Sequence, residues 1–124
     1  MPSFASPTCQ SIVDANPRLF RDCFDFWVGP GWAKFLADKI PLLAALDPDL
    51  SILQIKEKFG QLRINMIEST DEVWQLAESI EEQCSKLCET CGQPGTLRNL
   101  PSGRWIKTLC DDCEAKRIEE NKRA

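Results

Sequence analysis

Four cysteines near the end of the chain constrain its fold more than any other feature. Cys88 and Cys91 form one Cys-x-x-Cys pair, and Cys110 and Cys113 form a second pair after an intervening segment of 18 residues. This spacing is typical of a four-thiolate zinc site, in which two short knuckles complete a tetrahedron around one ion. Because all four ligands come from protein, the spacing predicts one structural Zn²⁺ with no position open for water or substrate.

The other three cysteines do not extend this pattern into a disulfide framework, because the total of seven is odd and four belong to the knuckles. We expect Cys9 and Cys23 to be small, buried and unreactive. Cys84 leaves two alternatives, because it lies one helical turn before Cys88. It either competes as a ligand or packs beneath the metal site.

The length of 124 residues fits one small domain followed by a short segment that a metal ion stabilises. We expect a body over residues 1–87 and a finger over residues 88–124, together one compact unit. No apolar run approaches the ~20 residues of a bilayer span, and the N-terminus lacks the features of a secretory signal. The chain is therefore expected to stay in a reducing cytoplasm without membrane contact.

Charge is distributed unevenly. Residues 1–83 carry a net charge of −6 and residues 84–124 a net charge of +2. Four thiolates and one Zn²⁺ bring the loaded tail to about zero. Since Lys and Arg contacts to phosphate supply most non-specific affinity for nucleic acid, this balance disfavours a general DNA or RNA binder.

The N-terminal half predicts helices around a hairpin. Residues 1–10 suit a loose lead-in, and Asn16-Pro17 predicts a short helix that ends near Phe24. A second helical pattern starts at Trp32, with Pro41 as a kink or break. Residues 50–67 alternate as a β-hairpin with its turn at residues 58–60. Capping residues 69–72 then begin a long helix, whose apolar stripe extends to Leu87 and delivers Cys88 to the metal.

The tail predicts a zinc finger built around a second hairpin. The hairpin can form between residues 96–100 and residues 104–109, with its turn at 101–103. The charged pattern of residues 113–121 predicts a terminal helix. The order knuckle, hairpin, knuckle at a helix start favours a treble-clef-like finger, with a zinc ribbon as the alternative. The predicted class is α+β: N-terminal helices and a long helix packed on a β-hairpin, followed by the finger.

Three segments of the chain are distinctive: QIKEKFGQLR at residues 54–63, CETCGQPG at 88–95 and WIKTLCDDC at 105–113. Together they resemble a family of small, largely uncharacterised proteins of bacteriophages and prophages. The resemblance covers most of residues 16–117. It implies a phage or prophage origin and the cytoplasm of a bacterial host, and it carries over no catalytic residues.

The composition argues against an enzyme. The chain contains no histidine, which removes the commonest general base and every Ser-His or Cys-His nucleophile arrangement. We expect instead a protein-interaction module that inhibits or modulates a host protein complex, for example in anti-defence. A nucleic-acid-binding zinc-finger regulator is the alternative, since the tail sets an aromatic side chain among cations.

Two surfaces are candidates for binding a partner. The first is the polar face and tip of the hairpin, and the second is the basic part of the finger. The candidate residues are Gln54, Lys56, Lys58, Phe59, Arg63, Arg104, Trp105 and Lys107. Phe59 has an equally weighted alternative, which is to pack into the core. For Trp27 and Trp32 we expect core packing, with a homodimer interface as the alternative.

Overall fold

A computed structural model describes residues 4–99 and 106–123 and confirms the α+β class. The described elements are α1 (Pro7–Ala15), β1 (Asp25–Trp27), α2 (Pro30–Leu46), β2 (Ile52–Lys58), β3 (Gln61–Met66), α3 (Asp71–Cys84), β4 (Thr96–Asn99), β5 (Ile106–Leu109) and α4 (Asp111–Arg123). Within these ranges, no helix has the length and apolar character needed to cross a membrane.

The first helix lies earlier than the sequence predicts. Helix α1 starts at Pro7, after the extended residue Ser6, and Asn16 is its C-terminal cap rather than the start of a helix. Proline is favoured in the first turn because its missing N–H would have no partner there, and Pro7 meets this condition as well as Pro17 does. The prediction of a loose lead-in is also wrong for residues 5 and 6. Both are buried, and the Ser6 N–H donates to the Phe26 carbonyl.

A mixed three-stranded sheet replaces the simple hairpin. Strands β2 and β3 pair antiparallel as predicted, and β1 adds in parallel along the other edge of β2. The register shifts between Ile52 and Gln54, so the fully buried side chains of β2 are Ile52 and Ile55, three positions apart. Leu53, which strict alternation predicts on the apolar face, is only half-buried.

Helix α3 packs against β3, and α2 packs against α3 and α1 in the same apolar core. Helix α2 continues through Pro41 to Leu46 without a break. Pro41 is exposed, so its lost hydrogen bond lies on the solvent side, where water can serve the freed carbonyl. Thr70 caps α3 by accepting a hydrogen bond from the Val73 N–H, as the capping motif predicts. Helix α3 ends at Cys84, however, and a turn leads from there to Cys88.

The body has one apolar core, and it contains the three cysteines outside the knuckles. Trp32, Leu36 and Ile55 are fully buried, and Cys9, Cys23 and Cys84 are buried in the same cluster. Burial raises the pKa of the Cys84 thiol to about 12. Cys84 is not among the cysteines that converge on the metal site, so of the two alternatives it packs into the core.

The finger follows the treble-clef order. A knuckle at residues 88–91 leads into the antiparallel hairpin β4–β5, and the second cysteine pair lies at the junction of β5 with α4. Helix α4 begins at Asp111, two residues earlier than predicted, so Cys113 falls in its first turn. A zinc ribbon would place both pairs on hairpin knuckles. The predicted turn at residues 101–103 lies outside the described residues.

Candidate metal centre and interaction surface

Backbone hydrogen bonds shape the first knuckle. Leu87 and Pro94 form an isolated bridge, and the Cys88 N–H donates to the Gln93 carbonyl at 2.7 Å. Gly92 has φ of +83° and donates its N–H to the Cys88 carbonyl at 2.9 Å. A glycine takes this left-handed conformation without steric cost. The tight turn directs the Cys88 and Cys91 side chains to the same point.

The second pair is positioned by the start of α4. The Glu114 N–H donates to the Cys110 carbonyl at 3.0 Å, and the Cys113 N–H reaches the Cys110 Sγ at 3.4 Å. Arg98 on β4 forms ion pairs with Asp111 and Glu114, so the hairpin is also tied to the helix. These contacts hold the two sulfurs against the first knuckle.

The four sulfurs fit one zinc ion. All four Sγ atoms lie within 4.8 Å of one another, and those of Cys91 and Cys110 are 3.7 Å apart. A tetrahedron with Zn–S bonds of about 2.3 Å has S–S edges of about 3.8 Å. The predicted ligand set of Cys88, Cys91, Cys110 and Cys113 therefore comes together as a single structural zinc site.

The acidities of the thiols differ within this cluster. Burial opposes ionisation of Cys88, but hydrogen bonds from the backbone N–H groups of Cys91, Cys110 and Thr90 outweigh it and lower its pKa to about 7. Burial raises the pKa of Cys113, and neighbouring thiols raise it further. Without a cation, negative charge on one sulfur thus keeps protons on others. A divalent ion removes this conflict.

The finger docks on the N-terminus of α2 through its backbone. The Gly31 N–H donates to the Glu89 carbonyl at 2.9 Å, and the Trp32 Nε1–H donates to the Leu87 carbonyl at 2.9 Å. A Cβ atom on Gly31 would lie 2.3 Å from the Gly92 nitrogen and 2.5 Å from the Cys88 carbonyl oxygen. Only a glycine permits this approach, so the body and the first knuckle are in direct contact.

A second contact joins the tip of the β2–β3 hairpin to β5. Lys107, one of the predicted partner-binding residues, forms ion pairs with Glu57 and Glu89. Thr108 donates through Oγ1 to the Gly60 carbonyl at 2.7 Å. Burial raises the pKa of Glu89, against the lowering effect of Lys107. Lys107 therefore joins finger to body, with only 20% of its side chain exposed.

The predicted hairpin face becomes a three-stranded surface. Trp27, Lys56 and Arg63 are cross-strand neighbours on β1, β2 and β3. Directly paired residues project on the same side of a sheet, so these side chains form one row. Arg63 and Trp27 are exposed, the latter by 56%. Core packing is thus confirmed for Trp32, which is fully buried, and is wrong for Trp27.

Hydrogen bonds order the adjacent row on the same face. Gln54 donates to Asp25 Oδ2 at 3.0 Å and accepts from the Asn65 side-chain amide at 3.1 Å. Gln54, one of the predicted partner-binding residues, therefore links all three strands through its side-chain hydrogen bonds. We call the two rows together, Asp25, Trp27, Gln54, Lys56, Arg63 and Asn65, the open sheet face.

The hairpin tip presents an exposed aromatic ring. Phe59 and Gly60 both have positive φ, 53° and 78°, as a tight turn between two twisted strands requires. Phe59 is 68% exposed, which excludes the alternative that it packs into the core. Lys58 beside it is exposed as well. The finger residue Leu97, 55% exposed, approaches the tip at Gly60.

The remaining finger candidates do not form a described basic patch. Arg104 and Trp105 lie outside the described residues. Arg98, one of the cations of the tail, forms ion pairs with Asp111 and Glu114. Among the described finger residues, the basic side chains of β4 and β5 thus form internal ion pairs.

Sequence reasoning missed the roles of Gly31, Trp27 and Glu89. Gly31 lies in a Gly-Pro-Gly segment that predicts only a turn, and Trp27 precedes it in an aromatic run. In the structure Phe26 is buried, Trp27 is exposed and Val28 is buried, and an alternation over three residues is too short to identify a strand without its partner.

Comparisons with protein-family models, curated proteins and solved structures found no match to this chain. The resemblance to phage proteins therefore stays a prediction.

Proposed function

We propose that this chain is a non-catalytic protein-interaction module whose zinc finger stabilises the edge of a binding surface. The observation that carries the proposal is the row of Trp27, Lys56 and Arg63 on the open sheet face. Trp and Arg are among the residue types most enriched at the energetic centres of protein interfaces, and here Lys56 lies between them in the row.

The charge pattern of the body supports a partner with an acidic surface. Helix α3 contains five acidic residues and no Lys or Arg. The open sheet face and the hairpin tip carry Lys56, Lys58 and Arg63 against one carboxylate on that face, Asp25. The net charge of −6 in residues 1–83 is therefore not spread evenly. Charge complementarity sets orientation and association rate, so an acidic protein would meet the sheet face and be repelled by α3.

The partner that we propose is a host protein complex, which the module inhibits or modulates. This part of the proposal comes from the resemblance to phage proteins and places the chain in a bacterial cytoplasm. Zinc contributes by ordering the finger, which contacts the sheet through Lys107 and Thr108. Catalysis forms no part of the proposal because the chain lacks histidine and its metal has four protein ligands.

Nucleic acid is the second candidate, and Trp27 is the observation that favours it. An exposed aromatic side chain flanked by cations can stack on a base while the cations neutralise phosphate. The acidic balance of the body and the internal ion pairs of Arg98 and Lys107 count against this candidate.

A pull-down with a matched pair of tryptophan variants tests both candidates. Zinc-loaded chain is used to capture partners from bacterial lysate, with and without nuclease. The variants are Trp27→Ala on the open sheet face and Trp74→Ala on α3, the same truncation at another exposed tryptophan. We expect one dominant protein that resists nuclease, is lost with Trp27→Ala and is retained with Trp74→Ala. Equal retention by both variants contradicts the proposed surface, and nuclease-sensitive capture supports nucleic acid.

A further inference from the structure

A cavity of about 510 Å³ lies at the junction of body and finger, next to the open sheet face. Its lining includes Trp27 from β1, Glu57 from β2, and Glu89 and Lys107 from the finger. This volume falls in the range of small-ligand sites. The cavity is distinct from the zinc site, whose adjoining groove is lined by a different set of residues that includes Cys91, Cys110 and Cys113.

An unpartnered carboxylate oxygen inside this region indicates what the cavity takes. Glu89 is 96% buried, since only 4% of it is exposed, and its Oε1 accepts from Lys107 at 3.3 Å. Its Oε2 has no hydrogen-bond partner among the residues that the structure describes. A buried acceptor without a donor costs free energy. A donor that reached Oε2 would therefore remove this cost.

We propose that this donor is the guanidinium group of an arginine on the protein partner. The proposal rests on the protein-interaction function above and names the chemistry of one contact in it. Guanidinium carries five N–H donors, matches a carboxylate, and packs on the face of an aromatic ring. The Glu89 carboxylate, which lines the cavity, supplies the acceptor by turning Oε2 towards the incoming group, and Trp27, 56% exposed, supplies the ring.

Other residues that line the cavity also offer acceptors to a guanidinium group. Ser6 and Thr8 also line it, and their hydroxyl oxygens lie 3.3 Å apart, which offers two more acceptors. Lys107 forms ion pairs with Glu57 and Glu89, and Arg117 donates to Thr90 Oγ1 at 3.4 Å, so two carboxylates stand beside two cations at the cavity. Recognition therefore depends on the placement of acceptors around the incoming group rather than on an excess of negative charge.

A titration with a capped amino acid tests the proposal without any partner. Nα-acetyl-arginine N-methylamide is added to zinc-loaded protein, and the Trp27 indole signal and the Glu89 amide signal are followed by NMR. The matched control is the citrulline analogue, which has nearly the same shape but is neutral and has fewer donors. We expect arginine to shift both signals and to bind about tenfold more tightly than citrulline.

Two variants and one competing ligand complete the test. Glu89→Gln keeps the side-chain shape and should weaken arginine binding about tenfold. Trp27→Ala, at an exposed position, should weaken it by a smaller factor. Zinc content and melting temperature check that each variant folds. If Glu89→Gln does not fold, Trp27→Ala still tests the proposal. Equal binding of arginine and citrulline overturns the proposal, as does no binding or tighter binding of guanosine monophosphate. None of these results removes the protein-interaction function, which the lysate experiment tests separately.

Discussion

The body and the finger are stabilised by different means. The body encloses a cluster of 23 buried apolar residues. The described part of the finger has a buried cluster of only Cys88 and Leu109, against which Cys110 and Cys113 pack. A segment this short buries too little apolar surface to fold on its own and requires a metal or another cross-link. The comparison teaches that hydrophobic burial sets the stability of the sheet and helices, whereas zinc sets that of the finger.

Loss of a ligand is expected to give the largest effect. Cys110→Ser removes one of four thiolates, and structural zinc sites contribute apparent binding free energies of about 10 to 16 kcal/mol. We expect the variant to lose its stoichiometric zinc, measured by mass spectrometry, and to lose helical signal from α4 in circular dichroism. Cys9→Ser is the matched control because Cys9 lies in the body core. It should lower the melting temperature and keep one zinc, and a fully zinc-loaded Cys110→Ser protein would contradict the ligand set.

A cavity in the body core is expected to be the next largest perturbation. Leu36 on α2 is fully buried, so Leu36→Ala should lower the free energy of unfolding by about 2 to 5 kcal/mol. Leu42 on the same helix is 47% exposed, and Leu42→Ala should cost less than about 1 kcal/mol. Urea unfolding of the zinc-loaded proteins measures both. Equal losses would show that α2 is not held by its buried face.

Gly31 tests the contact between the two regions. Gly→Ala within a helix normally stabilises it by up to about 1 kcal/mol. Here the added methyl group would meet the backbone of the first knuckle, and we expect Gly31→Ala to destabilise the protein by about 1 to 3 kcal/mol. Zinc affinity, measured by competition with a chelator, should fall as well.

Ala37→Gly separates this contact from helix propensity. Ala37 is exposed on the same helix, so the change should cost about 1 kcal/mol and leave zinc affinity unchanged. A stabilising effect of Gly31→Ala would mean that the knuckle does not lie against α2.

The pH dependence that Cys84 imposes is expected to be the smallest effect near neutral pH, because it develops only at alkaline pH. Burial raises the pKa of its thiol from about 9 to about 12. Below pH 9 the thiol is protonated in both states, and its stabilising contribution is fully present. Between pH 9 and 12 the unfolded chain releases this proton while the folded chain retains it, so the free energy of unfolding falls. Cys84→Ala should make the alkaline decline shallower in urea unfolding, and an unchanged slope would exclude this cause.

Local patterns predicted the metal site and the hairpin. The ligand spacing of residues 88–113 and the alternation over residues 61–66 each depend on neighbours in sequence, and both are confirmed. The polar face of the hairpin was predicted for the same reason. The surface in the structure is wider than predicted, because β1 adds Trp27 beside Lys56.

Features that depend on distant contacts could not be predicted. Strand β1 has three residues, and what identifies it is its parallel pairing with β2. Pro7 and Pro17 both fit the start of a helix, and the choice follows from the bridge between Ala5 and Phe26. No signal in the sequence predicts that Glu89 is buried. Its burial results from the packing of the finger on Gly31 and Glu57.

Amide hydrogen exchange before and after chelation of zinc tests most directly whether the two regions are held differently. Removing the ion from the unmodified protein should make the amides of β4, β5 and α4 exchange at nearly the rate of an unfolded chain. The amides of β2 and β3 should keep protection within about tenfold of the loaded protein, because their core remains. Equal loss of protection in the body, or a finger that stays protected without zinc, would contradict the division between a core-stabilised body and a metal-stabilised finger.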